Sequence, residues 1–339
     1  MRYILSITLF LIFSCQSTKK EIENKKLPPF SIVIHGGAGT ILKKNMTKEI
    51  EIKYINKLEE AIAVGYKILE KGGSSQEAVE KTIHVMENSP LFNAGKGAVL
   101  NSDGNVELDA SFMNGLTLDA GAISGASKIK NPISAAIAVM ESSPHVMLSG
   151  RGADDFALSQ ELELKANSYF ITEPRLRSLN KVKENEVSAF FSDKEYLKNQ
   201  KYGTVGCVAL DMQGNISSGT STGGMTNKKW NRIGDAPIIG AGTYANNKTC
   251  GVSATGWGEF FIRSVVAYDI SALMEYKGLS VQEAARIVIH EKVAKLGGNG
   301  GVIALDNKGN VAMEMNTAGM YRAHMDSQGN KTVKIYADK

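Results

Sequence analysis

Residues 203–224, GTVGCVALDMQGNISSGTSTGG, decide how this chain folds. Val205 to Asp211 is an apolar run, Gln213-Gly214-Asn215 carries turn chemistry, and Ile216 to Thr222 runs back, so the segment reads as a β-hairpin. Gly301 to Asp306, Lys308-Gly309-Asn310 and Val311 to Asn316 repeat the design. Asp103-Gly104-Asn105 predicts a third pair of strands between Ala98 and Asp109. Three such turns reuse one solution to strand pairing and do not make a solenoid.

Outward from the hairpins the pattern turns helical. Phe30 to Ile34 is a short strand that runs into His35-Gly36-Gly37-Ala38-Gly39. The spacing predicts a long amphipathic helix from about Thr47 to Lys71, stopped at Gly72-Gly73. Ser74 and Glu77 form a capping-box pattern for a helix running towards Met86. Asn131-Pro132 is expected to cap and start another that extends through Met140, and helical character recurs from Gly152 to about Leu164. From Lys165 to Tyr202 no period is sustained, which predicts a long mobile connector. A helix is expected over Phe260 to Tyr276, and another with a capping box at Ser280 and Glu283 that ends at Gly297-Gly298. Helices flanking both sets of strands predict sheets packed together with helices outside, in one domain.

The bulk figures agree with a globular protein. Of 339 residues, 43% are hydrophobic and 22% charged, which excludes wholesale disorder. A chain this long needs no disulfide or metal to hold a core. The 39 basic and 35 acidic residues leave a net charge of +4, no nucleic-acid signature. Arg2 followed by the apolar run Ile4 to Phe13 reads as a signal peptide over residues 1–14, too short to span a bilayer. Ile12-Phe13-Ser14-Cys15 resembles a lipoprotein signal in which Cys15 is acylated; a soluble secretory leader with Cys15 incidental is the alternative. Gln16 to Lys26 suits a tether. The address is extracytoplasmic, and a lipid anchor is the expected membrane contact. Cys207 and Cys250 lie in apolar strand-like runs and read as buried free thiols. No CxxC or HExxH occurs, and five scattered histidines give no zinc spacing.

The chemistry concentrates after the charged connector. A threonine hydroxyl needs a base beside it, and a free α-amine on the same residue supplies one. Thr204 gains that amine only if the Gly203–Thr204 bond is cut. Taken alone, Gly203-Thr204-Val205-Gly206 reads as a turn before a strand. Antiparallel pairing brings Thr222 towards Thr204. In Asn231-Arg232-Ile233-Gly234-Asp235, Arg232 offers a fork for a carboxylate and Asp235 an acceptor for an ammonium; a surface ion pair is the plain alternative. Thr255-Gly256-Trp257-Gly258-Glu259 sets a hydroxyl and backbone N–H groups at a helix start, which suits an oxyanion and also suits a glycine-rich turn. Gly36 to Gly39 lacks the third glycine of a dinucleotide fingerprint, and Gly95-Lys96-Gly97 lacks the Ser/Thr of a phosphate loop.

Six ordered motifs together carry a resemblance. His35-Gly-Gly-Ala-Gly39, Phe92-Asn93-Ala94-Gly95, Gly203-Thr-Val-Gly206, Thr220-Ser-Thr-Gly-Gly224, Arg232-Ile-Gly-Asp235 and Thr255-Gly-Trp-Gly258 resemble the plant-type asparaginases, also called isoaspartyl peptidases, within the N-terminal nucleophile hydrolases. The resemblance runs from about Ser31 to Arg322. It implies an α+β fold, a four-layer αββα sandwich, made as a precursor that cuts itself before Thr204. An α subunit, 15–203, and a β subunit, 204–339, then remain one domain, and two such pairs associate. By the same resemblance Thr204 is nucleophile and base, Thr222 tunes it and Asn93 borders it. Arg232 takes the substrate α-carboxylate and Asp235 its α-amine. Thr255 and Gly256 stabilise the oxyanion, and Gly258 lines the pocket. The substrates implied are β-aspartyl peptides and L-asparagine, with no catalytic cofactor. A structural sodium ion is implied on backbone carbonyls of Met86, Glu87, Ser89, Phe92, Ala94 and Lys96.

The chain departs from the family pattern at Trp257, between two pocket glycines, at Lys96 in the ion loop, and in its leader. A glycosylasparaginase-like amidohydrolase and a non-catalytic lipid-anchored binding protein of the same fold are the rival readings.

Overall fold

Alternation along each strand decides which layer its side chains enter. In the computed structural model, which describes residues 29–189 and 203–337, Ile32 and Ile34 of β1 (Ser31–Gly39) face one way and Val33 the other. The leader, Cys15, the tether and residues 190–202 of the expected connector lie outside the described residues.

The helices α1 (Lys48–Glu70) and α2 (Ser75–Glu87) follow β1. Next come β2 (Leu108–Asn114), β3 (Ala120–Ala126), α3 (Pro132–Ser142), β4 (Met147–Ser149) and α4 (Gly150–Ser159). After α5 (Glu173–Ala189) the chain forms β5 (Val205–Leu210), β6 (Ile216–Thr222), β7 (Thr243–Ala245) and β8 (Cys250–Gly256). Then come α6 (Gly258–Ser264), α7 (Val266–Lys277) and α8 (Val281–Arg286), which runs on as a π-helix over Ile287–Val293. The chain closes with β9 (Gly300–Asp306), β10 (Val311–Met315), β11 (Gly319–Asp326) and β12 (Lys331–Tyr336).

An eight-stranded sheet runs β12-β11-β1-β5-β6-β2-β3-β4, and a four-stranded sheet runs β10-β9-β8-β7. Every pairing is antiparallel except β3 with β4. Val205, Cys207 and Ala209 face outward with Ile32 and Ile34, under Leu58, Ile62 and Ile83 of α1 and α2. Val208 and Leu210 face inward with Val33 and meet Ile303 and Leu305 of the small sheet. The outer face of the small sheet, Val252, Ala254, Val302 and Ala304, is covered by Phe261, Ile270 and Val288. The result is the expected helix–sheet–sheet–helix sandwich of the N-terminal nucleophile hydrolase type.

Several local expectations are corrected. The middle of the connector is α5, which packs against the body with a narrow stripe, Leu176 and Leu179, so its polar remainder hides the helical period. The helix expected over 152–164 is Gly150–Ser159. The single helix over Phe260 to Tyr276 is two, α6 and α7, broken where Val265 takes the left-handed conformation at φ 50°. The third hairpin reduces to one bridge, Leu100 with Val106. Ser74 Oγ accepts from Glu77 N without the reciprocal bond, whereas Ser280 and Glu283 form the full capping box. Asn131 precedes α3 without capping it; its amide reaches Glu87 instead. A further turn of the same design, Gln328-Gly329-Asn330, joins β11 to β12 and was absent from the sequence reading.

Candidate active site

On the inner faces of both sheets the apolar pattern gives way to hydroxyls at one end. On β6 the inward positions run Ile216, Ser218, Thr220 and Thr222; on β8 they include Ser253 and Thr255. A buried hydroxyl without a partner costs roughly 1–3 kcal/mol, so these groups must satisfy one another. Thr220, Thr222 and Ser253 do so in a set connected to Thr204, while Ser218 donates to Val252 O and Thr255 accepts from Ala38 N.

Thr204 stands just before β5, 7% exposed. The register pairs Val205 with Ser221 and Gly206 with Thr220, which leaves Thr222 beside Thr204. Thr204 Oγ1 lies 3.1 Å from Thr222 Oγ1 and 2.8 Å from the Gly203 carbonyl oxygen. That oxygen accepts from Asn93 Nδ2 at 2.6 Å and from Thr222 Oγ1 at 3.1 Å. Asn93 Nδ2 also donates to Gly224 O, and its Oδ1 accepts from Val99 N, so the amide orientation is fixed. Thr222 Oγ1 takes a further proton from Gly224 N. In this intact chain, the carbonyl before Thr204 already has two donors on its oxygen and a hydroxyl beside it. That is the geometry of an acyl centre awaiting attack.

The clamp lies further along the chain. Asp235 is 6% exposed, and its Oδ2 has no hydrogen-bond partner. Burial pushes its carboxyl up to about 7, against the pull of Arg232. A buried carboxylate with an open lone pair is a socket for an ammonium group. Arg232 is partly occupied: Nε and Nη2 donate to the two oxygens of Glu259 at 2.9 and 2.8 Å. Burial pulls the guanidinium down, but Glu259 overrides it and the net direction is up. Glu259, the first acidic residue of α6, belongs to the Thr255–Glu259 run, whose sequence assigns it no role of its own. Gly258 sits where no side chain fits: a Cβ there would lie 2.8 Å from Asp235 Oδ1 and 3.0 Å from Arg232 Nη2. The two clamp residues thus converge on one glycine.

Thr255 is fully buried on β8, and its Oγ1 accepts from Ala38 N of the His35–Gly39 run at 3.3 Å. Gly256 ends β8 opposite Gly300. Trp257 packs its ring on Phe260, centroids 4.9 Å apart.

His35 is a second residue the sequence singled out by motif but gave no role. Its Nδ1–H donates to the Thr204 carbonyl at 3.0 Å. Its Nε2 then accepts from Ser253 Oγ at 2.9 Å. Ser253 takes a bond from Thr220 at 2.7 Å, Thr220 from Thr243 at 2.5 Å, and Thr243 from Ser111 at 2.8 Å. Burial pulls the imidazole down to about 3, so it is neutral at ordinary pH. Gly206 makes room for this contact, since a Cβ there would lie 2.0 Å from Ser253 Oγ and 2.3 Å from His35 Nε2. The chain of bonds ties both sheets to the backbone of Thr204.

Glu87 acts through its side chain as well. It is buried, accepts from Ser221 Oγ, Asn131 Nδ2 and Ile133 N, and burial pushes it up to about 7. It thereby joins the 86–96 loop and the start of α3 to the residue beside Thr222. In that loop Met86 O accepts from Ser89 N and Ala94 O from Gly97 N, each at 3.2 Å. Among the described residues, no group of three or more His, Cys, Asp or Glu could hold a metal ion.

The comparisons with known proteins cover nearly the whole chain. A family model described as asparaginase matches residues 28–335. The chain is 48% identical over 309 residues to the isoaspartyl peptidase of Escherichia coli (strain K12), covering 91% of this chain and 96% of that protein. It is 47% identical to the isoaspartyl peptidase of Salmonella typhimurium (strain LT2), covering 91% and 98%. It is 44% identical to a putative isoaspartyl peptidase/L-asparaginase of Dictyostelium discoideum, covering 88% and 94%.

Proposed function

Because the chain belongs to the isoaspartyl peptidase/L-asparaginase family of threonine-type N-terminal nucleophile hydrolases, we propose that it cuts itself before Thr204 and then hydrolyses β-aspartyl peptides and L-asparagine. The observation that carries the reading is the Gly203 carbonyl, held by Asn93 and Thr222 with the Thr204 hydroxyl beside it.

In maturation Thr204 Oγ attacks the Gly203 carbonyl carbon. Negative charge grows on the oxygen that Asn93 Nδ2 and Thr222 Oγ1 already address. The Gly203–Thr204 C–N bond breaks, the nitrogen takes a proton, and an ester joins Gly203 to Thr204 Oγ. Water hydrolyses the ester, leaving a Gly203 carboxylate and a Thr204 with free amine and hydroxyl. The new amine, whose ordinary pKa is about 7.7–8, then serves as the base for its own hydroxyl.

In turnover Thr204 Oγ attacks the β-carbonyl of the aspartyl group, the amine or ammonia leaves, and water releases aspartate. Asp235 receives the α-ammonium on its open oxygen, and Arg232, steered by Glu259, receives the α-carboxylate. Thr255 and Gly256 serve the oxyanion, and Gly258 keeps the clamp closed up. Both substrate classes present a free α-amine and α-carboxylate. Ordinary internal peptide bonds do not, and would leave a buried charge unpaired.

The same reading extends to assembly and address. The products are an α subunit, 15–203, and a β subunit, 204–339, that stay together as one domain and pair as a dimer of heterodimers. The leader over 1–14 directs export, and acylation of Cys15 anchors the protein to a bacterial membrane on the periplasmic side. The 86–96 loop suits a structural sodium ion. Its donors are hard carbonyl oxygens, and Ala94 O keeps a second lone pair after its bond from Gly97 N.

The test is to incubate the purified chain and sequence the smaller fragment from its N-terminus. A start at Thr204, with turnover of β-aspartyl-leucine above that of a glycosylated asparagine, is the expected result. An active enzyme of unbroken chain, or a fragment that starts elsewhere, overturns the reading.

A further inference from the structure

A cavity of about 250 Å³ is lined by Gly203 and by neither of the clamp residues Arg232 and Asp235. Gly203 and Asn93 form part of its wall, and Arg175 of α5 forms another part. Tyr54 and Tyr321, stacked with centroids 4.1 Å apart, close a third side. None of the described residues that line it is acidic.

Arg175 is anchored but not neutralised. Its Nε donates to Gly97 O at 2.7 Å, which holds the guanidinium against the 86–97 loop. Among the described residues no carboxylate lies within ion-pair distance of it, and its two terminal nitrogens have no acceptor. Desolvation lowers its pKa, as for a cation withdrawn from water with nothing opposite it. Two cations of the clamp region are matched by carboxylates: Arg232 by Glu259, and Lys228 by Glu107. A planar fork facing a partly apolar cavity is suited to a carboxylate.

We infer that the Arg175 cavity is a carboxylate subsite beside the nucleophile, distinct from the clamp. Two carboxylates arise at that place under the proposed function, on which this inference rests. One is the new Gly203 terminus, formed when water adds across the Gly203–Thr204 bond: the oxygen goes to Gly203, the hydrogen to the Thr204 nitrogen. The other is the α-carboxylate of the leaving residue in a β-aspartyl dipeptide. Asparagine, whose leaving group is ammonia, has no such group.

The matured wild-type protein and its Arg175→Met and Arg175→Lys variants separate these sources. If the leaving residue binds there, Arg175→Met raises KM for β-aspartyl-leucine relative to KM for asparagine about tenfold or more, the loss of one charge-assisted bond. In the wild type, β-aspartyl-leucine amide is then a poorer substrate than the free acid by a similar factor. If the Gly203 terminus binds there, a carboxypeptidase removes Gly203 from the wild type slowly and from Arg175→Met about tenfold faster, and KM rises for both substrates together. Arg175→Lys restores part of either effect, because it keeps the charge and loses the fork. The wild-type measurements stand even if the methionine variant does not fold. Equal KM for acid and amide, together with Gly203 trimming as fast as in a free peptide, overturns the subsite. A wild-type chain that never cuts itself fails the function on which the subsite rests; one that cuts and turns over, yet gives those two null results, fails the subsite alone.

Discussion

Asn93 Nδ2 donates to the Gly203 carbonyl oxygen across 2.6 Å, while the rest of the amide is pinned by Gly224 O and Val99 N. The donor is therefore aimed at the oxygen before any charge develops on it, and it pays no reorganisation cost when charge appears. Removing one such donor typically costs about 10²–10³ in rate. Asn93→Ala is expected to slow self-cleavage by that factor, followed as the loss of full-length chain on denaturing gels over time. Cleavage at the wild-type rate would place the essential donor elsewhere.

Thr204→Ala is expected to leave a single uncut chain with no hydrolysis of either substrate class. Thr204→Ser keeps a hydroxyl within reach of Thr222 and is expected to cut itself, more slowly because the methyl that fixes the rotamer is gone. Intact mass after prolonged incubation reads both outcomes. Cleavage in the alanine variant would remove the nucleophile from the account.

Asp235 predicts the pH dependence. Its free carboxyl sits at about 7, raised by burial. The charged form is the one that pairs with a substrate ammonium, and its share falls as pH drops through that value. kcat/KM is therefore expected to fall towards acid below about pH 7 more steeply than protonation of the Thr204 amine alone would make it. The neighbouring charges are Arg232, which favours ionisation, and Glu259 and Asp109, which oppose it. Asp235→Asn should reduce the acid limb to the shallower one of the Thr204 amine as well as lower kcat/KM. An unchanged acid limb in that variant would assign the titration to another group.

The hairpin of β5 and β6 was legible because two signals coincide: period-two apolar residues and the Gln213-Gly214-Asn215 turn. With the strands placed, Thr204 and Thr222 had to share a face. Glu259 was not legible, because its bond to Arg232 joins a loop to a helix start 27 residues on and no local spacing encodes it. His35 stood out by its glycine neighbours, but its partners Ser253 and Thr204 meet it only when the two sheets face each other. The helix α5 was missed for the opposite reason: two leucines suffice to dock it, and the remaining positions are free to be polar.

Arg232 is absent from the contacts around the Gly203 carbonyl, so maturation and substrate capture should separate there. Arg232→Ala is expected to cut itself normally and to raise KM at least tenfold for asparagine and dipeptide alike, as a charge-assisted bond is lost. It also leaves Glu259 without its partner, so some loss of thermal stability should accompany the change. Steady-state kinetics on the matured protein check it. An unchanged KM would contradict the clamp.

Gly258→Ala tests the same clamp without removing a charge. The added methyl would stand 2.8 Å from Asp235 Oδ1, 2.9 Å from Asp235 N and 3.0 Å from Arg232 Nη2. The Asp235 backbone cannot retreat easily, because Asp235 O accepts from Ile238 N at 2.9 Å. The carboxylate and the guanidinium must then move apart, and a clamp set for one zwitterion no longer matches it. A displacement of about 1 Å at a substrate-positioning group can cost of the order of 10²-fold in rate. The variant is expected to mature at the wild-type rate, since Gly258 takes no part in the bonds to Gly203, and to lose kcat/KM by that order for both substrates. If instead kcat/KM is retained while maturation slows, Gly258 matters for the precursor and not for the clamp, and the convergence of Arg232 and Asp235 on it has no part in binding.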